Sequence, residues 1–147
     1  MIQRIQTIYL LVAVAASVVC LCLPLGVYEP AGMGVGTTMY NIAVVGELWT
    51  VVHALSLFLP LALSCVVGIF AIFSYKKRAR QSTMCLASIA LIVIWYIVFA
   101  VRTNPSDAAF HYAPGCILPL VALVFYALAR KGILHDERLV RAADRIR

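Results

Sequence analysis

The chain has 147 residues, of which 64% are hydrophobic and only 12% charged, with a formal net charge of +6. A soluble domain runs at roughly 45–50% apolar and about 25% charged, so this composition excludes an ordinary water-soluble fold: so few charges cannot cover so much apolar surface. The excess of cations is not a nucleic-acid footprint either, because the cations gather at the ends of apolar runs and not on one face of a polar domain.

The first apolar run covers about residues 5–27 and is preceded by a single cation, Arg4. It exceeds the ~7–15 residues of a signal-peptide core, and no small-x-small cleavage site follows before Tyr28, so a retained helix is expected. At ~1.5 Å per residue it is long enough for a ~30 Å hydrocarbon layer. Pro24 lies near its outer end, where a helix can stop at modest cost. Ala13, Ala16 and Ser17 form a stripe of small residues that lets another helix approach.

Residues 28–48 are different in kind: glycine-rich, without Lys or Arg, and carrying Glu29 and Glu47. Gly32, Gly34 and Gly36 resemble a phosphate-binding loop only superficially, because that fingerprint needs a strand before it and a helix after it in a soluble unit. Residues 37–45 are rich in β-formers (Thr37, Thr38, Tyr40, Ile42, Val44, Val45), which predicts a short hairpin resting on the outer mouth of a bundle.

A second membrane helix is predicted over about residues 49–75, with Trp49 and Tyr75 suited to the two interfacial belts. Pro60 near its middle frees the carbonyl of Ser56 and predicts a kink. Ser64 and Gly68, four apart, make a small-residue face. Then come Lys76, Lys77, Arg78 and Arg80, four cations in five residues. A cation at the bilayer centre costs about 2.5–3.5 kcal/mol, so this knot reads as a loop outside the lipid.

The third helix is predicted over about residues 82–101, with Trp95 and Tyr96 toward its outer half and Arg102 at its end. Residues 102–107 have the chemistry of a turn. A fourth, short helix is expected over about residues 114–129, starting at Pro114 and bent at Pro119. The tail, residues 130–147, is strongly charged; as a helix it places Leu139, Val140, Ala143 and Ile146 on one face and Arg138, Arg141 and Arg145 on another. Such a helix suits the headgroups of the inner leaflet or a partner. The five cysteines, Cys20, Cys22, Cys65, Cys85 and Cys116, lie in or beside apolar runs and read as small buried hydrophobes.

The fold expected is therefore an all-α membrane protein: one domain, residues 1–147, of four transmembrane helices with an outer loop of β-hairpin character and a cytoplasmic amphipathic helix. Arg4, Lys76, Lys77, Arg78, Arg80, Arg130 and Lys131 set the topology. With the tail arginines, eleven cations fall on one side and Arg102 alone on the other, so both termini are expected in the cytoplasm.

The opening MIQRIQTIYLL (residues 1–11) and the close HDERLVRAADRIR (residues 135–147) resemble those of a family of small four-helix membrane proteins. That family is found chiefly in Bacteroidetes and is known as a domain of unknown function. The resemblance implies a bacterial inner-membrane protein of four helices and brings no catalytic residues with it.

Ionisable groups within a membrane are functional candidates. Here Glu47, His53, Asp107 and His111 form a candidate outer polar cluster, and Cys116 stands nearby; no fixed ligand spacing supports a metal there. A candidate tail interface comprises Arg138, Leu139, Val140, Arg141, Arg145 and Ile146. Arg4, with Gln3 and Gln6, is expected to pair with a tail carboxylate (Asp136, Glu137 or Asp144) and hold the tail under the bundle. No cofactor, metal or nucleic acid is expected, and no catalytic constellation is visible. The partners expected are membrane lipids and either an unidentified membrane protein or further copies of the chain. The leading expectation is a non-catalytic subunit or assembly partner of an envelope complex. The alternative is a small-molecule, lipid or ion binding or transport protein acting as a homo-oligomer.

Overall fold

In a computed structural model, which describes residues 2–30, 35–42, 50–75, 77–103 and 108–144, four long helices form a ring capped at one end by a small sheet. The helices are α1 (Ile2–Cys22), α2 (Thr50–Phe73), α3 (Arg78–Arg102) and α4 (Leu118–Asp144). All four are long and apolar enough to cross a membrane. Each packs on its two neighbours, α1 on α2, α2 on α3, α3 on α4 and α4 back on α1.

The first helix ends five residues earlier than expected. Pro24 disfavours the helical conformation at Leu23 and brings no N–H of its own, so the chain leaves the helix after Cys22. Pro24 instead opens a strand, β1 (Pro24–Pro30), a position where proline is tolerated. β1 is the centre of the sheet. It pairs antiparallel with β2 (Thr37–Tyr40) on one side and with β3 (Ala108–Tyr112) on the other. Val27 lies opposite Thr38 in one ladder and His111 in the other. The hairpin is therefore present, but its first strand comes from the expected end of helix one, and a third strand joins from the loop after α3. Of residues 37–45, only 37–42 are described, and the strand ends at Tyr40. Gly26 permits the close pairing: a Cβ there would collide with the Phe110 ring and the His111 carbonyl.

Two further corrections concern charge. Arg78 and Arg80 are not in a loop but form the first turn of α3. Nor is the tail a separate helix: α4 runs unbroken for 27 residues, about 40 Å, through Arg130 and Lys131. The onset of charge marks where the helix can meet water, not where it ends. Pro119 does not bend this helix, because it falls in the first turn, after a 3-10 turn over Pro114–Ile117, where its missing N–H has no partner to lose.

The core lies along the ring axis, with Leu10, Leu61, Ile92, Trp95, Tyr126 and Ile133 fully buried. Tyr126 crosses it from α4 to α2, donating to the Ser64 carbonyl at 3.3 Å, while Ser88 of α3 donates to the same oxygen at 3.4 Å. The small face of α2 makes this crossing possible, since any side chain at Gly68 would meet the Tyr126 hydroxyl and Val14. The stripe on α1 is used in the same way: Ala13 and Ser17 are fully buried, and Ser17 donates back to the Ala13 carbonyl.

Candidate functional site at the sheet end

Asn41, just past β2, is the pin that fixes the sheet to the bundle. Its side-chain nitrogen donates to the Cys20 carbonyl at 2.7 Å, one of the carbonyls left open where α1 ends. Its oxygen accepts from the Trp95 indole nitrogen at 3.0 Å. Asn41, Cys20 and Trp95 are all fully buried, so this amide satisfies two groups that would otherwise be desolvated without a partner.

A second tie runs through Arg102. Its guanidinium donates to the Ser56 hydroxyl at 3.1 Å, four residues before Pro60 on α2, and its carbonyl accepts from the Tyr28 hydroxyl at 2.8 Å. Tyr28 thus joins the central strand to the end of α3. Burial pushes its phenol above the ordinary value, Arg102 pulls it back, and Tyr112 adds to the rise. An aromatic cluster fills the joint. Trp95 stacks on Phe99 with ring centres 5.0 Å apart, and Phe99 meets the edges of Phe110 and Tyr112.

Beside this cluster is an open pocket of about 430 Å³, lined by Tyr96, Phe99, Ala100 and Thr103 of α3, Tyr112 of β3 and Cys116 of the 3-10 turn. The volume falls in the range of about 300–1,000 Å³ usual for small-molecule sites. Tyr96 donates to the Cys116 carbonyl at 2.8 Å, Thr103 to the Phe99 carbonyl at 3.0 Å, and the Cys116 thiol to the Ala113 carbonyl at 2.9 Å.

Among the described residues, the opposite end carries Lys77, Arg78, Arg80, Lys131 and Arg138 and a clasp. Gln6 of α1 donates to the Asp136 carboxylate of α4 at 2.6 Å, and Arg78 of α3 donates to the Asp136 backbone carbonyl at 3.3 Å. Gln6 and Asp136 are both buried. Higher on α4, Arg130 holds a buried Nε with no hydrogen-bond partner among the described residues.

The profile of a family described as a domain of unknown function, DUF4293, matches residues 2–146. The chain belongs to this family. No curated protein matches the chain. The match takes in both ends of the bundle and the sheet.

The candidate residues read from the sequence fall as follows. His111 lies on β3, exposed, with Nε2 3.3 Å from a carboxylate oxygen of Glu29, a partner the sequence reading did not pair with it. Glu47 and Asp107 lie outside the described residues, as do the side chains of His53, Arg4 and Arg141. Among the described residues no three His, Cys, Asp or Glu side chains gather as metal ligands. Arg138, Leu139 and Val140 are exposed on the last turns of α4, while Arg145 and Ile146 lie outside the described residues. Gln6 ties α1 to Asp136 of α4, and the pairing expected of Arg4 falls on a side chain outside the described residues. Cys20, Cys65 and Cys85 are buried as expected, but Cys22 is exposed. Asn41 and the pocket were missed. A lone amide in the middle of a β-rich stretch is the signal that points to Asn41, and nothing in the sequence pairs α3 with β3.

Proposed function

We propose that the chain is an integral protein of a bacterial inner membrane, with four spans, both termini in the cytoplasm and the sheet outside, acting as a non-catalytic subunit or assembly partner of an envelope complex. Large apolar side chains stand exposed along every helix, among them Ile8 and Leu11 on α1, Phe70 and Phe73 on α2, Ile97 and Val101 on α3, and Leu120 and Val124 on α4. Water would not tolerate this surface and lipid would. Among the described residues, Lys77, Arg78, Arg80, Arg130, Lys131 and Arg138 toward the clasp end, against Arg102 at the sheet end, support the orientation.

The observation that carries the subunit role is the sheet. Two loops far apart in sequence contribute to it, buried hydrogen bonds fix it to the bundle, and its outer strands β2 and β3 each leave an edge to which another chain can add a strand. The test is to recover the tagged protein from native membranes in a mild detergent and identify what accompanies it. A stoichiometric second protein, lost when Thr38 on the β2 edge is changed to Pro while the chain stays folded, is the expected result. Recovery of the chain alone would overturn the subunit role.

A further inference from the structure

We propose that the pocket between α3, β3 and the 3-10 turn binds an uncharged ring-headed lipid of the quinol class, taken in sideways from the bilayer. The pocket faces the side of the bundle. Ala100 on its wall is exposed and neighbours the exposed Ile97 and Val101, while Ile117 and Leu120 flank Cys116 on the other wall. Exposed apolar side chains, Ile97, Val101, Ile117 and Leu120, thus stand beside both walls for a ligand tail to lie against. The opening lies at the sheet end, one helical turn from the end of α3, which is interfacial depth if α3 spans the membrane as proposed above.

The lining selects the head. Among the described residues it holds no cation and no carboxylate, so a phosphate head finds nothing there to neutralise it. Three of its residues are aromatic or stand against aromatics, which favours a planar ring. Its hydroxyls are divided by what they already do. Tyr96 and Thr103 have given their protons to backbone carbonyls and can only accept from a ligand. Tyr112 makes ring contacts but no hydrogen bond among the described residues, so its proton is available. Two acceptors and one donor around an apolar slot match a ring that carries hydroxyls able both to donate and to accept. A free acyl chain uses none of them.

The full chain, purified in mild detergent, is titrated with a decyl-tailed benzoquinol, and adducts are counted by native mass spectrometry. One saturable adduct is expected. Ala100→Phe fills the pocket from an exposed position and should weaken the adduct by about tenfold or more. Tyr112→Phe removes only the donor and should weaken it about fivefold, the share of one hydrogen bond. 1-Decanol, a tail without a ring, should not compete. Equal binding of decanol and quinol, or an adduct unchanged in Ala100→Phe, overturns the proposal. So does a copurifying phospholipid that the quinol cannot displace. Should Ala100→Phe fail to fold, Thr103→Val, which removes one acceptor, carries the same comparison. Failure of the membrane reading would show separately, as release of the chain from membranes by alkaline carbonate.

Discussion

The two ends of the bundle are held by opposite means. At the sheet end, neutral groups pair with one another: Asn41 answers both Cys20 and Trp95, and Tyr28 answers the Arg102 carbonyl, with rings packed around them. At the cation end a single carboxylate, Asp136, gathers Gln6 through its side chain and Arg78 through its backbone, with Lys77, Arg80, Lys131 and Arg138 exposed around it. Burial explains the difference. Joining a sheet to helix ends strands backbone groups away from water, so each must be matched within the protein. Charged helix ends can be solvated, and there the Gln6–Asp136 clasp ties α1 to α4. The sheet end is thus built to keep one shape, while the cation end leaves its charges exposed.

The comparison predicts that the sheet end is the costlier to break. Trp95→Ala empties the largest buried side chain among the described residues and orphans the Asn41 oxygen, and should destabilise the protein by about 3–5 kcal/mol. Thermal unfolding of the purified protein in detergent measures this. A loss no larger than that of a surface variant would mean that the sheet is not fixed through Trp95.

Gln6→Ala should cost less, about 1.5–3 kcal/mol for a bond to a charged group and toward the lower figure, because a carboxylate at the bundle end can be rehydrated. Its signature is local. Trypsin should cut at Arg138 faster in this variant, while the melting of the sheet end, followed by Trp95 emission, changes little. Equal protection of Arg138 in the two proteins would show that α4 is held by other contacts.

The helix spans were legible because apolar length and charge are one-dimensional signals. The ends of α2 and α3 fall close to where the apolar runs end. What was illegible shares one physical cause: hydropathy reports which solvent a residue meets, not its backbone conformation. Residues 24–27 are as apolar as the helix before them, yet form a strand because Pro24 stops the helix and Gly26 admits Phe110. Arg130 reads as an exit from lipid, yet α4 continues past it. β3 is five residues long and pairs with a strand more than seventy residues away, a contact no local pattern encodes. The site suffered most, since Asn41 acts through Cys20 and Trp95, which are brought to it only by the closed ring.

The middle of the bundle separates the two ends and can be tested on its own. Gly68→Ala puts a methyl group against the Tyr126 hydroxyl and should cost about 1–3 kcal/mol by overpacking. Tyr126→Phe in the same chain removes the clashing oxygen and should return part of that loss. A double-mutant cycle with no coupling would show that α2 and α4 do not meet there.

The smallest effect is expected at His111, one of the four candidate outer polar groups. His111 and Glu29 stand 3.3 Å apart with side chains 63% and 66% exposed, so water screens the pair. His111→Ala should change stability by about 0–1 kcal/mol and leave partner recovery unchanged. The imidazole lies on the edge strand, yet β3 is held to β1 by its backbone ladder, which this substitution leaves whole. If His111→Ala abolished partner recovery or quinol binding while folding was preserved, the working surface would be the polar face of β3. The sheet would then be the seat of an ionisable site and not a platform held by its neutral core.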